Sequence, residues 1–189
     1  MCIRVNTVHT MNIFVLSFDV LQCAEEMVDA HVVKMILEYC QLLSTAHHVL
    51  DSAPETDIIY KPTHKNHPCA KWVRESSQNY YWLTGMLKAL LNEYTYRYNK
   101  VHACSRLLRY FEENLPETIP HGNMTPFALA MPDECKVHGD PVTSYRNYYI
   151  HSKQKLFKWK NRQRPSWSLH DIHTRDPLEE SDENKKVLS

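Results

Sequence analysis

Residues 28–50 read VDAHVVKMILEYCQLLSTAHHVL. Wound at 100° per residue, Val28, Val32, Met35, Ile36, Tyr39, Leu42, Leu43, Ala46 and Leu50 fill one arc, which predicts a single long amphipathic helix. His31, Lys34, Glu38, Gln41, Thr45 and His48 fall on the opposite side, within an arc of roughly 100°. A solvated helix face ordinarily carries Lys and Glu at i,i+4 spacing, whereas this line mixes two histidines, one acid, one base and an amide. Such a line has the composition of a site wall.

Working outward, a second helix is expected from about Ser76 to Asn99, with Tyr80, Leu83, Leu87, Leu90, Leu91, Tyr94 and Tyr98 on one face to pack against the first. Its other side holds Asn79, Trp82, Glu93 and Arg97, the last two forming a structural i,i+4 pair. Asn12–Phe18 reads as a short strand or a buried lead-in, and Asp19 as the cap of a short helix ending near Met27. Residues 51–68 read as loop, punctuated by Pro54, Pro62 and Pro68. A third helix is expected over roughly His102–Asn114, and Asp140-Pro141 should cap and start a helix running to about Lys160. Three glycines and ten prolines in 189 residues argue against a fold rich in tight hairpins. The expected class is mainly α: a compact single-domain helical fold with two long packed helices, a basic C-terminal helix and irregular loops.

Residues 12–168 form that domain in this reading. Residues 1–11 read as an N-terminal extension, since Met11 opens the first clean pattern, and 169–189 as an acidic, disordered tail. The apolar run Ile13–Leu21 is broken by Asp19 and followed by no small-residue cleavage site, so neither a signal peptide nor a membrane span is expected. The six cysteines are scattered without CxxC pairs, which suits a reducing, intracellular setting in cytoplasm, host-cell nucleoid or nucleus.

A net charge of zero hides a segregation. Between Pro141 and His170 stand seven cations (Arg146, Lys153, Lys155, Lys158, Lys160, Arg162 and Arg164) and no acid, while 171–184 carry six acids and one Arg. The basic run is interleaved with Tyr145, Tyr148, Tyr149, Phe157, Trp159 and Trp167, a mixture that suits phosphates and stacked bases. It equally suits a helix that packs its aromatics inward and leaves its lysines in water.

Glu38 is the candidate for acid/base work or for stabilising a cationic intermediate; as a surface acid paired with Lys34 it would contribute a few tenths of a kcal/mol. His31 lies roughly 10 Å of helix rise away, so the two side chains can flank one substrate without touching. His64, His67 and Cys69, joined by His31 or His102, supply the residue types of a zinc site, although HxxHxC is not a strong signature. A Cys69 nucleophile has no local motif behind it. Glycine-rich phosphate loops and the GxSxG elbow are absent from the sequence.

Three motifs in order resemble the pyrimidine-dimer DNA glycosylases of phage, small helical enzymes also called endonuclease V. Asp29-x-His31 followed after six residues by Glu38 is similar to the family's Asp-x-His…Glu helix, Pro132-x-Glu134-x-Lys136 to its Pro-x-Glu-x-basic step, and Gln163-Arg164-Pro165-Ser166-Trp167 to its Gln-Arg-Pro-Thr-Trp. The resemblance, as a divergent member, spans about 12–167. It implies a helical enzyme that kinks duplex DNA and moves a base out of the stack. It also implies an N-terminal α-amine attacking sugar C1′, an imine that leads on to strand cleavage, and Glu38 as the catalytic carboxylate with His31 beside it. No cofactor is implied, and the expected state is a monomer on double-stranded DNA. Contacts to DNA are expected from Lys34, Gln41, His67, Arg146, Lys153, Lys155, Lys158, Lys160, Arg162, Arg164 and Trp167. The chain departs from the family beside the acid, where Leu37 and Gln41 stand in place of arginines, and ten residues precede Met11. Two other readings stay open: a non-catalytic nucleic-acid-binding protein of the same fold, and a metal-dependent hydrolase or base-modifying enzyme built on His31, His64, His67 and Cys69.

Overall fold

A computed structural model describes residues 11–169. Six α-helices follow in order: α1 (Val20–Glu26), α2 (Asp29–Leu50), α3 (Pro68–Val73), α4 (Ser77–Tyr98), α5 (Ser105–Glu113) and α6 (Pro141–Ser152), with no strand among the described residues. Helix starts are written in the local chemistry. Asp19 accepts the Gln22 N–H at 2.9 Å, Ser76 accepts that of Asn79 at 3.2 Å, and Asp140 accepts that of Thr143 at 2.9 Å with Pro141 in the first turn. Asn99 ends α4 in the left-handed region at φ 52°, a conformation asparagine tolerates at such an end.

The two long helices pack on each other as expected, α2 offering Val32, Met35, Ile36, Tyr39, Leu42 and Leu43, and α4 offering Tyr80, Leu83, Leu87 and Leu90. All are fully buried, each contributing about 1.5–3 kcal/mol from lost contact with water. The lead-in Met11–Leu16 is extended, buried and unpaired to any strand, so the lead-in reading of that segment holds. It lies across the polar line of α2. Apart from Lys34, that line is covered or half-covered rather than solvated: Phe14 stacks on His31 and the Asn12 N–H meets Glu38, while from the loop after α2 Thr63 meets Thr45 and the Tyr60 carbonyl lies 3.0 Å from His48 Nε2. The exposed line of α2 runs instead through Ala30, Val33, Lys34 and Leu37.

The structural pair on α4 is present and lies deeper than its sequence position alone shows, and two element assignments change. The pair Glu93–Arg97 is interior, because α1 covers the side of α4 away from its apolar face. Arg97 donates to Glu93 Oε1 (2.6 Å), Asp29 Oδ1 (2.9 Å) and the carbonyls of Met27 and Glu25 (both 2.9 Å), so one guanidinium closes the corner between α1 and α2. The basic C-terminal helix ends at Ser152 rather than Lys160. Beyond it the chain turns back along the same corner. The Asp29 N–H donates to the Lys158 carbonyl at 2.8 Å, the Lys160 N–H to Asp29 Oδ1 at 2.9 Å, and the indoles of Trp159 and Trp167 to the Glu26 carbonyl and carboxylate at 2.9 and 2.8 Å. A continued helix would carry those aromatics away from the core. Turning lets them cover α1 and supply the cap that Val28, an apolar residue, cannot give α2. A short helix, α3, stands after Pro68 where no element was assigned. The extension before Met11 and the acidic tail after Leu169 lie outside the described residues.

Candidate functional site

Glu38 sits in the middle of α2 with its carboxylate nearly closed off from solvent. One oxygen faces the Lys34 ammonium at 3.0 Å, and the other accepts the backbone N–H of Asn12 at 3.3 Å. The Asn12 side chain fixes that nitrogen. Its amide donates to the Ala130 carbonyl at 2.9 Å, and its oxygen accepts from the Ile13 N–H at 2.8 Å and the Tyr145 hydroxyl at 2.9 Å. A buried polar side chain with every group bonded is a rigid fixture, so the nitrogen it carries is held against the carboxylate.

His31 is placed differently from its expected role. Its ring is stacked under Phe14 (centroids 4.4 Å apart, planes 11° apart), and Nδ1 lies 2.6 Å from the Tyr149 hydroxyl. Burial, reinforced by the charges of Lys153 and Lys34, pulls its pKa down to about 3, so the ring is neutral at physiological pH. It supports Phe14 and, through Phe14, the lead-in that carries Asn12. Phe14 and Asn12 were not singled out in the sequence, where the opening of the pattern at Met11 was the available signal; Tyr145 and Tyr149, read there as aromatics of the basic run, take the inward-packing alternative.

The zinc arrangement is not assembled. Among the described residues no three His, Cys, Asp or Glu side chains come together as metal ligands. His31 faces Tyr149, the Cys69 thiol faces Asn12 Oδ1 at 4.0 Å, His64 Nδ1 lies 2.6 Å from the Thr63 hydroxyl, and His102 Nδ1 takes the Cys104 N–H. The metal-dependent reading is therefore corrected: packing directs its residues to other partners. Burial also pushes the Cys69 thiol up to about 12, which leaves it protonated and a poor nucleophile.

The expected DNA contacts divide into two groups. Arg162 grips both oxygens of Glu93 at 3.0 and 2.8 Å, Arg146 holds the Leu16 carbonyl and Glu26 and lies over the Trp167 ring, and Arg164 holds the Ser168 hydroxyl and carbonyl. Arg146 and Trp167 tie α6 and the last described turn to Glu26 of α1, Arg162 ties the returning segment to Glu25 of α1 and Glu93 of α4, and Arg164 closes the last turn on itself. Lys160 lies over Tyr98 at 5.3 Å. Lys155 and Lys158 are exposed, Lys153 lies over Tyr148 at 4.7 Å, and Gln41 is half-buried one turn beyond Glu38. His67 is half-buried at the start of α3.

No helix among the described residues is long and apolar enough to cross a membrane. Comparison with curated proteins and with solved structures gives no match. The sequence profile of pyrimidine dimer DNA glycosylases, by contrast, matches residues 11–106, more than half of the chain, opening at the residue before Asn12 and taking in α2 with Glu38. With that match and an all-helical fold around a carboxylate on α2, the chain belongs to the pyrimidine dimer DNA glycosylase family.

Proposed function

We propose that this protein cleaves the N-glycosidic bond of a damaged pyrimidine in duplex DNA, with Glu38 as the catalytic carboxylate and the Asn12 nitrogen, once it is a chain terminus, as the nucleophile. The observation that carries the reading is the 3.3 Å approach of that nitrogen to Glu38 Oε2. Inside a peptide bond the nitrogen is an amide without a free lone pair. As a terminal α-amine, with an ordinary pKa of about 8, a useful fraction of it is neutral and nucleophilic.

The amine lone pair forms the N–C1′ bond, and the C1′–base bond breaks with its electron pair leaving on the base, which takes up a proton. Glu38 receives the proton lost from the attacking nitrogen and stabilises positive charge as it grows on the sugar. Opening of the C1′–O4′ bond then gives the imine; loss of a C2′ proton expels the 3′ phosphate and cuts the strand. Lys34 holds the carboxylate in place, and neutral His31 supports the wall through Phe14. Lys153, Lys155 and Lys158 supply cationic surface for the phosphates of the duplex.

The test is borohydride trapping on duplex containing a pyrimidine dimer, using protein released from a cleavable tag so that Asn12 is its first residue. Expected are a covalent adduct with this protein and none with Glu38→Gln. A folded protein with a free Asn12 amine that gives no adduct, yet binds the duplex, overturns the reaction in favour of a DNA-binding role for the same fold.

A further inference from the structure

Beside Glu38 the protein offers a DNA strand little positive charge from α2 itself. Lys34 is the helix's one lysine or arginine, and it is committed to Glu38; Leu37, next to the acid, is apolar and exposed. A strand lying over the site must be held from a neighbouring element.

The loop between α2 and α3 is fastened from both sides. The Thr63 N–H donates to the Thr45 hydroxyl at 3.1 Å, Arg74 donates to the Lys65 carbonyl at 2.7 Å, and the His67 N–H donates to the His64 carbonyl at 2.8 Å. His64 is held at φ 48°, a left-handed conformation that costs a non-glycine residue about 1–3 kcal/mol and persists where surrounding bonds enforce it. The loop's side chains from 64 to 67 are His, Lys, Asn and His, all able to donate hydrogen bonds and none acidic.

His67 is the inner member of this set. Its Nδ1 accepts the Cys69 N–H at 3.2 Å, which fixes the neutral tautomer with its proton on Nε2. Among the described residues Nε2 has no hydrogen-bond partner. Burial lowers the pKa of the ring and His64 lowers it further, against the opposing charge of Glu38, so the ring is neutral. Two residues on, Cys69 touches Asn12, which seats this end of α3 against the Asn12–Glu38 pair.

We propose that His67 is a positioning residue for the reaction assigned to Glu38, its Nε2–H holding a phosphodiester oxygen of the DNA strand next to the reacting sugar. The inference rests on that reading of the site. A neutral donor suits the place: it fixes an anionic oxygen without neutralising the carboxylate that must accept a proton, as an added cation would.

The experiment measures affinity, by fluorescence anisotropy, for duplex carrying a tetrahydrofuran abasic analogue that binds but cannot react. His67→Ser keeps a side chain able to cap α3 and removes the Nε2–H donor; His67→Gln restores an N–H near the place of Nε2 and caps poorly. Expected is about tenfold weaker binding for His67→Ser at nearly unchanged melting temperature, and affinity within about threefold of wild type for His67→Gln. If capping is the whole role, the order reverses, and either that reversal or equal affinity for all three proteins overturns the proposal. Tight wild-type binding weakened in His67→Ser, together with no borohydride adduct on dimer-containing duplex, supports the loop assignment while the proposed reaction falls. Wild-type protein that does not bind the duplex overturns both.

Discussion

Glu38 and Glu93 stand on the two long helices that form the centre of the molecule, each buried and each four residues from a cation. Glu93 is saturated: Arg97 and Arg162 occupy both of its oxygens, and Arg97 is itself enclosed by Asp29 and two carbonyls. Burial alone would raise its pKa, but the hydrogen bonds and charges of Arg162 and Arg97 outweigh this and hold it below the usual glutamate range. Glu38 has one half-exposed lysine and one backbone N–H. A carboxylate enclosed by guanidinium groups can only hold structure together. One that keeps a lightly bound oxygen beside a nitrogen atom can exchange a proton with it.

The strongest way to break this contrast is Arg97→Met. Removing one partner from a buried, fully bonded cluster leaves Glu93 with Arg162 alone, Asp29 without its guanidinium and the Met27 and Glu25 carbonyls without theirs, and the expected loss is about 3–5 kcal/mol in urea unfolding. A loss below about 1 kcal/mol would show that the corner tolerates an empty centre. Acid sharpens the comparison next. His31 beside the Glu38 wall takes a proton near pH 6.5 in the unfolded chain and at about 3 in the folded one. Between those values the unfolded state binds more protons, so stability falls as pH falls, by up to about 1.4 kcal/mol per pH unit from this group. The Glu93 cluster, with its depressed pKa, keeps its charges over the upper part of that window. A urea midpoint that stays flat from pH 6.5 to 4 would contradict the burial of His31. The smallest effect is expected from Glu38→Gln, under about 1 kcal/mol, because its lysine partner is largely solvated. A large loss there would mean that Glu38 is structural after all.

Much of this was legible in the sequence because helix ends are written locally. Asp19, Ser76 and Asp140-Pro141 announced starts that the structure places at those caps, and the apolar period of 28–50 gave α2 to within one residue at its start. Glu38 could be singled out for the mixed chemistry around it. Its partner could not, since the Asn12 contact spans 26 residues and leaves no periodic trace. The same limit explains α3: His67-Pro68 is a cap followed by a first-turn proline, yet in a proline-rich stretch it reads as loop until Trp72 and Cys69 are seen to be buried. The basic segment misled for a different reason. Its aromatics continue a plausible helix on paper, but they gain more by covering α1 and the opening of α2 than by one further turn.

The returning segment has a consequence for how the molecule is made. Asn12 meets Tyr145 across 133 positions, Lys160 meets Asp29 across 131, and Trp167 meets Glu26 across 141. Contacts so distant along the chain reward folding only after most of it exists, and they slow the search accordingly. On the ribosome, the contacts that hold Asn12, Glu26 and Asp29 stay unfinished until Tyr145, Lys160 and Trp167 have emerged, so the surroundings of α2 close only after that returning segment is made.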